Sequence, residues 1–186
     1  RKFSAMLSAF SSFIMWLIGW KVTGRYPHEI KKLVVIAIPH TSNWDFPLGP
    51  LSRSVMKAKF KFVGKASLFD PPFGFIFRWF GGIPVDRSRS NNFVDAMVDM
   101  YRNADQLAVT LAPEGTRQKV EKLKPGYYYI ALKAGIPILL IKFDYSKKEI
   151  DFGEVFWPTG DIDRDMDYLR DYYRHVKGKN PDQGWP

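Results

Sequence analysis

His40 is one of three histidines in the 186-residue chain, and Asp45 follows it at a spacing of five. An imidazole removes a proton well when an acceptor holds its other ring nitrogen, and a carboxylate across a turn can do this. Ser42 lies between the two, but no Gly-x-Ser-x-Gly elbow surrounds it. It therefore reads as a turn-stabilising hydroxyl, not a nucleophile. A second stretch, Gly81-Gly82-Ile83-Pro84-Val85-Asp86-Arg87, ends in a guanidinium. The third, Pro113-Glu114-Gly115-Thr116-Arg117, can present a carboxylate and a guanidinium from one loop because Gly115 permits a tight turn. Taken singly, each stretch also fits a capped turn or a solvated ion pair. The chain has no cysteine, which excludes disulfides, thiolate zinc sites, iron–sulfur clusters and thiol nucleophiles. No metal site is expected.

Residues of this kind act from loops beyond the carboxyl ends of strands. Leu33–Ile38 is a continuous apolar run, which predicts a strand buried on both faces. Met56–Val63 alternates Lys57, Lys59 and Lys61 with Ala58, Phe60 and Phe62, predicting a strand with one basic face. Ile83–Val85, Leu107–Leu111 and Ile136–Phe143 are further strands, with an edge strand at Glu149–Phe156. Helices are predicted at Phe93–Tyr101 behind a Ser90 cap, at Pro125–Ala134 before Gly135, and at Asp163–Lys177, where early aspartates and late basic residues complement the dipole. The alternation specifies an α/β fold: a single domain with a mostly parallel central sheet flanked by helices.

Charge and aromatic content narrow the partners. Lys and Arg number 28 against 19 Asp and Glu, a formal +9, and 16% of residues are aromatic. An anionic membrane surface or a nucleic acid would fit both. Phe3–Trp20 runs 18 residues without a charge. Ser4, Ser8, Ser11 and Ser12 fall on one helical face of it, with Phe, Leu, Ile and Met on the others. Residues 1–22 thus read as an N-terminal apolar helix lying in the membrane interface, its serines toward the headgroups, ahead of a domain at 23–186. Such a helix should be removable without unfolding that domain. No RNP1 sequence, zinc-finger spacing or basic helix supports a nucleic-acid partner.

In combination the motifs resemble those of the glycerol-phosphate and lysophospholipid acyltransferases of bacteria and organelles. The resemblance runs from about Leu33 to Phe143 and rests on four motifs in order. These are His40-x4-Asp45 with Ser42, Gly82 to Arg87, Glu114-Gly115-Thr116-Arg117, and Pro137 followed by Ile138-Leu139. Phe62-Val63-Gly64-Lys65 and Lys124-Pro125-Gly126 are also similar to family segments. Pro39 and Gln118 depart from residues common in the family.

The resemblance implies transfer of a fatty acyl group from acyl-CoA or acyl carrier protein to the hydroxyl of a lysophospholipid such as 1-acylglycerol-3-phosphate. His40 would be the general base and Asp45 its orienting carboxylate. Arg87, Glu114, Gly115, Thr116, Arg117 and Lys65 would bind the acceptor, with Glu114 positioning Arg117 or an acceptor hydroxyl. The thioester is already activated, so no cofactor is implied. The implied partners are membrane lipids, at the cytoplasmic face of a bacterial inner membrane. Two alternatives stay open: a phosphate-free lyso-aminolipid acceptor, and a non-catalytic basic module for membranes or nucleic acids. The lysines at 57, 59, 61 and 65 either attract anionic lipid or carrier protein, or form a solvated face.

Overall fold

The computed structural model describes residues 2–85 and 90–186. Helix α1 (Lys2–Leu17) and strand β1 (Lys21–Gly24) lead into β2 (Lys32–Ile38), α2 (Asp45–Val55) and β3 (Lys61–Lys65). A 3-10 turn (Ala66–Phe69) and α3 (Gly74–Trp79) precede β4 (Gly82–Val85) and α4 (Ser90–Asn103). Then come β5 (Leu107–Leu111), α5 (Gly126–Ala134), β6 (Ile138–Asp144), β7 (Glu149–Phe156) and α6 (Ile162–Tyr173). The strands form one sheet in the order β1-β7-β6-β2-β5-β3-β4, parallel throughout except where β6 meets β7.

The apolar run of β2 has the central place its composition demands. Val34, Ile36 and Ile38 face one core, with Met97 and Tyr101 of α4, Tyr127 and Tyr128 of α5, and Leu169 and Tyr173 of α6. Leu33 and Val35 face the other, with Met15 of α1 and Leu48 of α2. Residues on both faces of β2 are withdrawn from water, which is why no polar residue interrupts it. Gly135 closes α5 in the left-handed conformation (φ +64), and Asp161 caps α6 by accepting the Arg164 N–H at 3.2 Å.

Four expectations shift. Extended structure begins at Lys61 and not Met56, because Lys57 takes a left-handed φ of 51°. β7 is not an edge strand: β1, which hydropathy did not mark, pairs with it in parallel. α2 was not predicted, since Pro47 and Pro50 interrupt its pattern; Pro47 sits in the first turn, where no N–H is needed. α6 stops at Tyr173 because the chain then turns, and the carbonyl of Lys177 accepts the Tyr145 N–H at 2.8 Å.

The N-terminal helix is oriented differently from the serine-out picture. Ser8 and Ser11 are buried, and Ser8 Oγ donates to the Val55 carbonyl at the end of α2 at 3.2 Å. Small side chains let the two helices approach closely, and Met15, 2% exposed, enters the core. The large residues point away: Met6, Phe10, Phe13, Trp16 and Leu17 are all exposed. Packed on its serine side and bare on its apolar side, α1 is part of the domain's architecture, so deleting it would uncover core residues. Among the described residues, no helix is long and apolar enough to cross a membrane.

Candidate active site

From β2 the chain crosses one face of the sheet through α2 toward β3; from the adjacent β5 it crosses the opposite face through α5 toward β6. Neighbouring parallel strands whose connections diverge leave a crevice beyond their carboxyl ends. The His40 loop and the Glu114 loop both end there.

Asp45, the first residue of α2, is 6% exposed. Its Oδ2 lies 2.8 Å from His40 Nδ1 and accepts the Ser42 N–H at 3.0 Å. Its Oδ1 accepts the Tyr145 hydroxyl at 2.5 Å. The carboxylate therefore holds the proton of His40 on Nδ1 and leaves Nε2, with no partner among the described residues, as the basic nitrogen. Ser42 has the structural role expected of it, accepting the Trp44 N–H at 3.2 Å. Burial, reinforced by the bond to Asp45, pushes the Tyr145 hydroxyl pKa up, so it remains a donor.

Of the two roles expected of Glu114, pairing with Arg117 is not observed. Glu114 is 1% exposed. Its Oε2 accepts the His40 backbone N–H at 2.6 Å and its Oε1 the Trp185 N–H at 2.9 Å. A buried carboxylate needs such donors, and here two backbone N–H groups supply them. Burial nevertheless outweighs those bonds and raises its pKa. Gly115 (φ +67) then reverses the chain against Lys124, whose Nζ would lie 2.7 Å from any Cβ placed there. Thr116 Oγ1 accepts the Gln118 N–H at 3.3 Å, and Arg117 is exposed. Lys65 ends β3, with its side chain outside the described residues, as is the whole of Arg87.

Beside the dyad lies a cavity of about 190 Å³, lined by His40 and Asp45 and by Phe46, Phe60, Phe62, Phe80, Leu111 and Phe143. Arg53 of α2 also lines it, with Nη1 donating to the carbonyls of Phe60 (3.0 Å) and Phe80 (2.8 Å). Burial lowers the Arg53 pKa from a value so high that the group stays charged. A second cavity, of about 500 Å³, opens beside Gly115, Lys124 and Tyr127 on the other side of Leu111 and Ala112. Among the described residues, no group of three or more His, Asp or Glu side chains is placed to hold a metal ion.

Sequence reasoning brought together His40, Asp45 and Glu114, but missed Tyr145 and Arg53. Tyr145 lies 100 residues from Asp45, and no local pattern marks it. Arg53 sits within an unpredicted helix.

The Acyltransferase family profile matches residues 20–143. The chain is 30% identical over 154 residues to the 1-acyl-sn-glycerol-3-phosphate acyltransferase of Haemophilus influenzae, an alignment covering 78% of this chain. It spans 62% of that relative's length. Its fold is similar to the crystal structure of the 1-acyl-sn-glycerophosphate (LPA) acyltransferase of Thermotoga maritima, with a TM-score of 0.59 and 20% identity over 91% of this chain and 76% of that one. With its motifs at adjoining strand ends and the profile spanning most of its length, the chain belongs to the acyltransferase family.

Proposed function

We propose that the protein moves a fatty acyl group from acyl-CoA or acyl carrier protein to the hydroxyl of a lysophospholipid such as 1-acylglycerol-3-phosphate. The observation that carries this reading is the buried Asp45 held 2.8 Å from His40 Nδ1 at the wall of an apolar cavity. The acceptor hydroxyl attacks the thioester carbonyl carbon as His40 Nε2 takes its proton. The carbon–sulfur bond then breaks, and the departing thiolate recovers that proton from the imidazolium. Asp45 stabilises the imidazolium between the two steps. No enzyme nucleophile or cofactor is needed. The phenylalanine-lined cavity offers apolar surface to the acyl chain next to the base.

Glu114, Gly115, Thr116 and Arg117, with Arg87 and Lys65, are assigned to the acceptor, because guanidinium and ammonium groups match a phosphate and a carboxylate can position a hydroxyl. The reaction is placed at a membrane surface, the cytoplasmic face of a bacterial inner membrane, where both thioester donors are available. The bare face of α1 supports this, as do exposed Phe75 and Trp79 of α3. Leu7, Phe10 and Trp79 share a groove with Lys57 and Lys59, an arrangement in which rings enter the acyl boundary and ammonium groups stay at anionic headgroups.

The test is purified protein with acyl-CoA or acyl carrier protein donors and a panel of lyso-lipids, read by mass spectrometry. Acylated product from the phosphate-bearing acceptor, abolished in His40→Ala, supports the proposal. Equal turnover of a phosphate-free lyso-aminolipid points to that acceptor class. No product from any pair leaves a non-catalytic module.

A further inference from the structure

We infer that Tyr145 is a positioning residue of the dyad: its hydroxyl holds Asp45 and moderates the carboxylate's grip on His40, setting the pH at which the imidazole gains its proton. This rests on the catalytic reading of His40 and Asp45 given above.

The geometry is specific. Tyr145 stands in the turn between β6 and β7, and its hydroxyl reaches Asp45 Oδ1 at 2.5 Å. The ring is clamped at both ends of its reach. Trp20 meets it edge-on with centroids 4.7 Å apart, and its own backbone N–H is fixed to the Lys177 carbonyl at 2.8 Å. Trp20 in turn follows α1 and donates its N–H to Met15, the residue that seats the helix in the core. The hydroxyl is thus aimed by two separate parts of the chain at the one carboxylate oxygen that neither His40 nor Ser42 uses.

Removing that donor has a definite sign. Asp45 would keep the Ser42 N–H and the imidazole, so it would stay in place with less of its charge dispersed. An imidazolium beside it would then be stabilised more strongly, and His40 would hold its proton to higher pH. Among the described residues, the other charged groups around the dyad are few. Glu114 accepts the His40 backbone N–H, Arg53 lines the same cavity, and Lys179 lies over the Trp44 ring. Asp144 precedes Tyr145 but is engaged by Ser146 and Lys147. None of these contacts the oxygen that Tyr145 serves.

Tyr145→Phe keeps the ring against Trp20 and removes only the hydroxyl. NMR titration of the His40 imidazole in the full chain should show its pKa rising by about 0.5–1 unit. The acid limb of the kcat/KM profile should move upward by the same amount, with the acceptor KM unchanged. Site-specific difluorotyrosine at 145, a stronger donor that preserves packing, should shift the imidazole in the opposite direction. An imidazole that titrates identically in both proteins overturns the inference, whatever the activity. An active His40→Ala would instead sink the catalytic reading, while a shifted titration would still show Tyr145 acting on His40.

Discussion

Beyond β2 a buried carboxylate is turned onto an imidazole; one strand away, beyond β5, another is turned onto backbone. Asp45 reaches His40 Nδ1 and Glu114 reaches the His40 N–H, so both grip one residue, one at its ring and one at its backbone. Their consequences differ. Asp45 controls which ring nitrogen carries a proton, a matter of chemistry. Glu114 joins the His40 loop to the chain near Trp185, a matter of architecture. Only after Gly115 does the second loop turn outward, to the exposed Arg117. Adjacent residues of a single motif thus serve the scaffold and the solvent-facing surface in turn.

The comparison breaks most visibly at His40. His40→Ala should lower acyl transfer by ~10²–10⁴-fold with the fold retained by circular dichroism, since the lost contribution is proton removal. Near-normal turnover would place the chemistry elsewhere. Glu114→Ala should act on stability instead. It leaves the buried N–H groups of His40 and Trp185 without an acceptor, a cost on the order of 2–6 kcal/mol in urea unfolding at about 1–3 kcal/mol each. A change near zero would mean that Glu114 is not architectural.

Arg117→Ala should show the reverse profile. Its exposed side chain carries little stability, so the melting temperature should hold while the acceptor KM rises about 10–150-fold, the worth of one charge-assisted hydrogen bond. A lowered melting temperature with unchanged KM would contradict the division between the two residues.

The smallest expected effect is a pH slope. Burial raises the Glu114 pKa above its unfolded value of 4.5, so binding a proton there favours the folded state. That contribution is full below the unfolded value and is lost as pH rises through the folded one. Glu114→Gln cannot titrate, so the stability advantage of the parent protein over this variant should narrow as pH rises above about 4.5. Urea melts across that range would show a widening gap if the sign were reversed.

The His40–Asp45 pair was legible because five residues around a turn leave a side chain few places to go. β2 was legible because an unbroken apolar run suits only a strand covered on both faces. Phe62 and Val63 were placed on a strand, although the preceding basic stretch bends at Lys57, where the lysine alternation carries no mark of a left-handed residue. Pro47 and Pro50 hid α2 although Pro47 occupies a position where a helix tolerates it.

What the chain settles locally, it settles through short-range geometry: the turn that joins His40 to Asp45, the serine stripe of α1, the reversal at Gly115. What lies across each of these was decided only in three dimensions. Periodicity showed that Ser8 and Ser11 share a face, but not that α2 would cover it and leave Phe10 and Trp16 bare. Tyr145 and Trp185 reach the site from 100 residues beyond Asp45 and 71 beyond Glu114. Burial and hydrogen bonding belong to pairs of surfaces, and a sequence pattern describes one surface at a time.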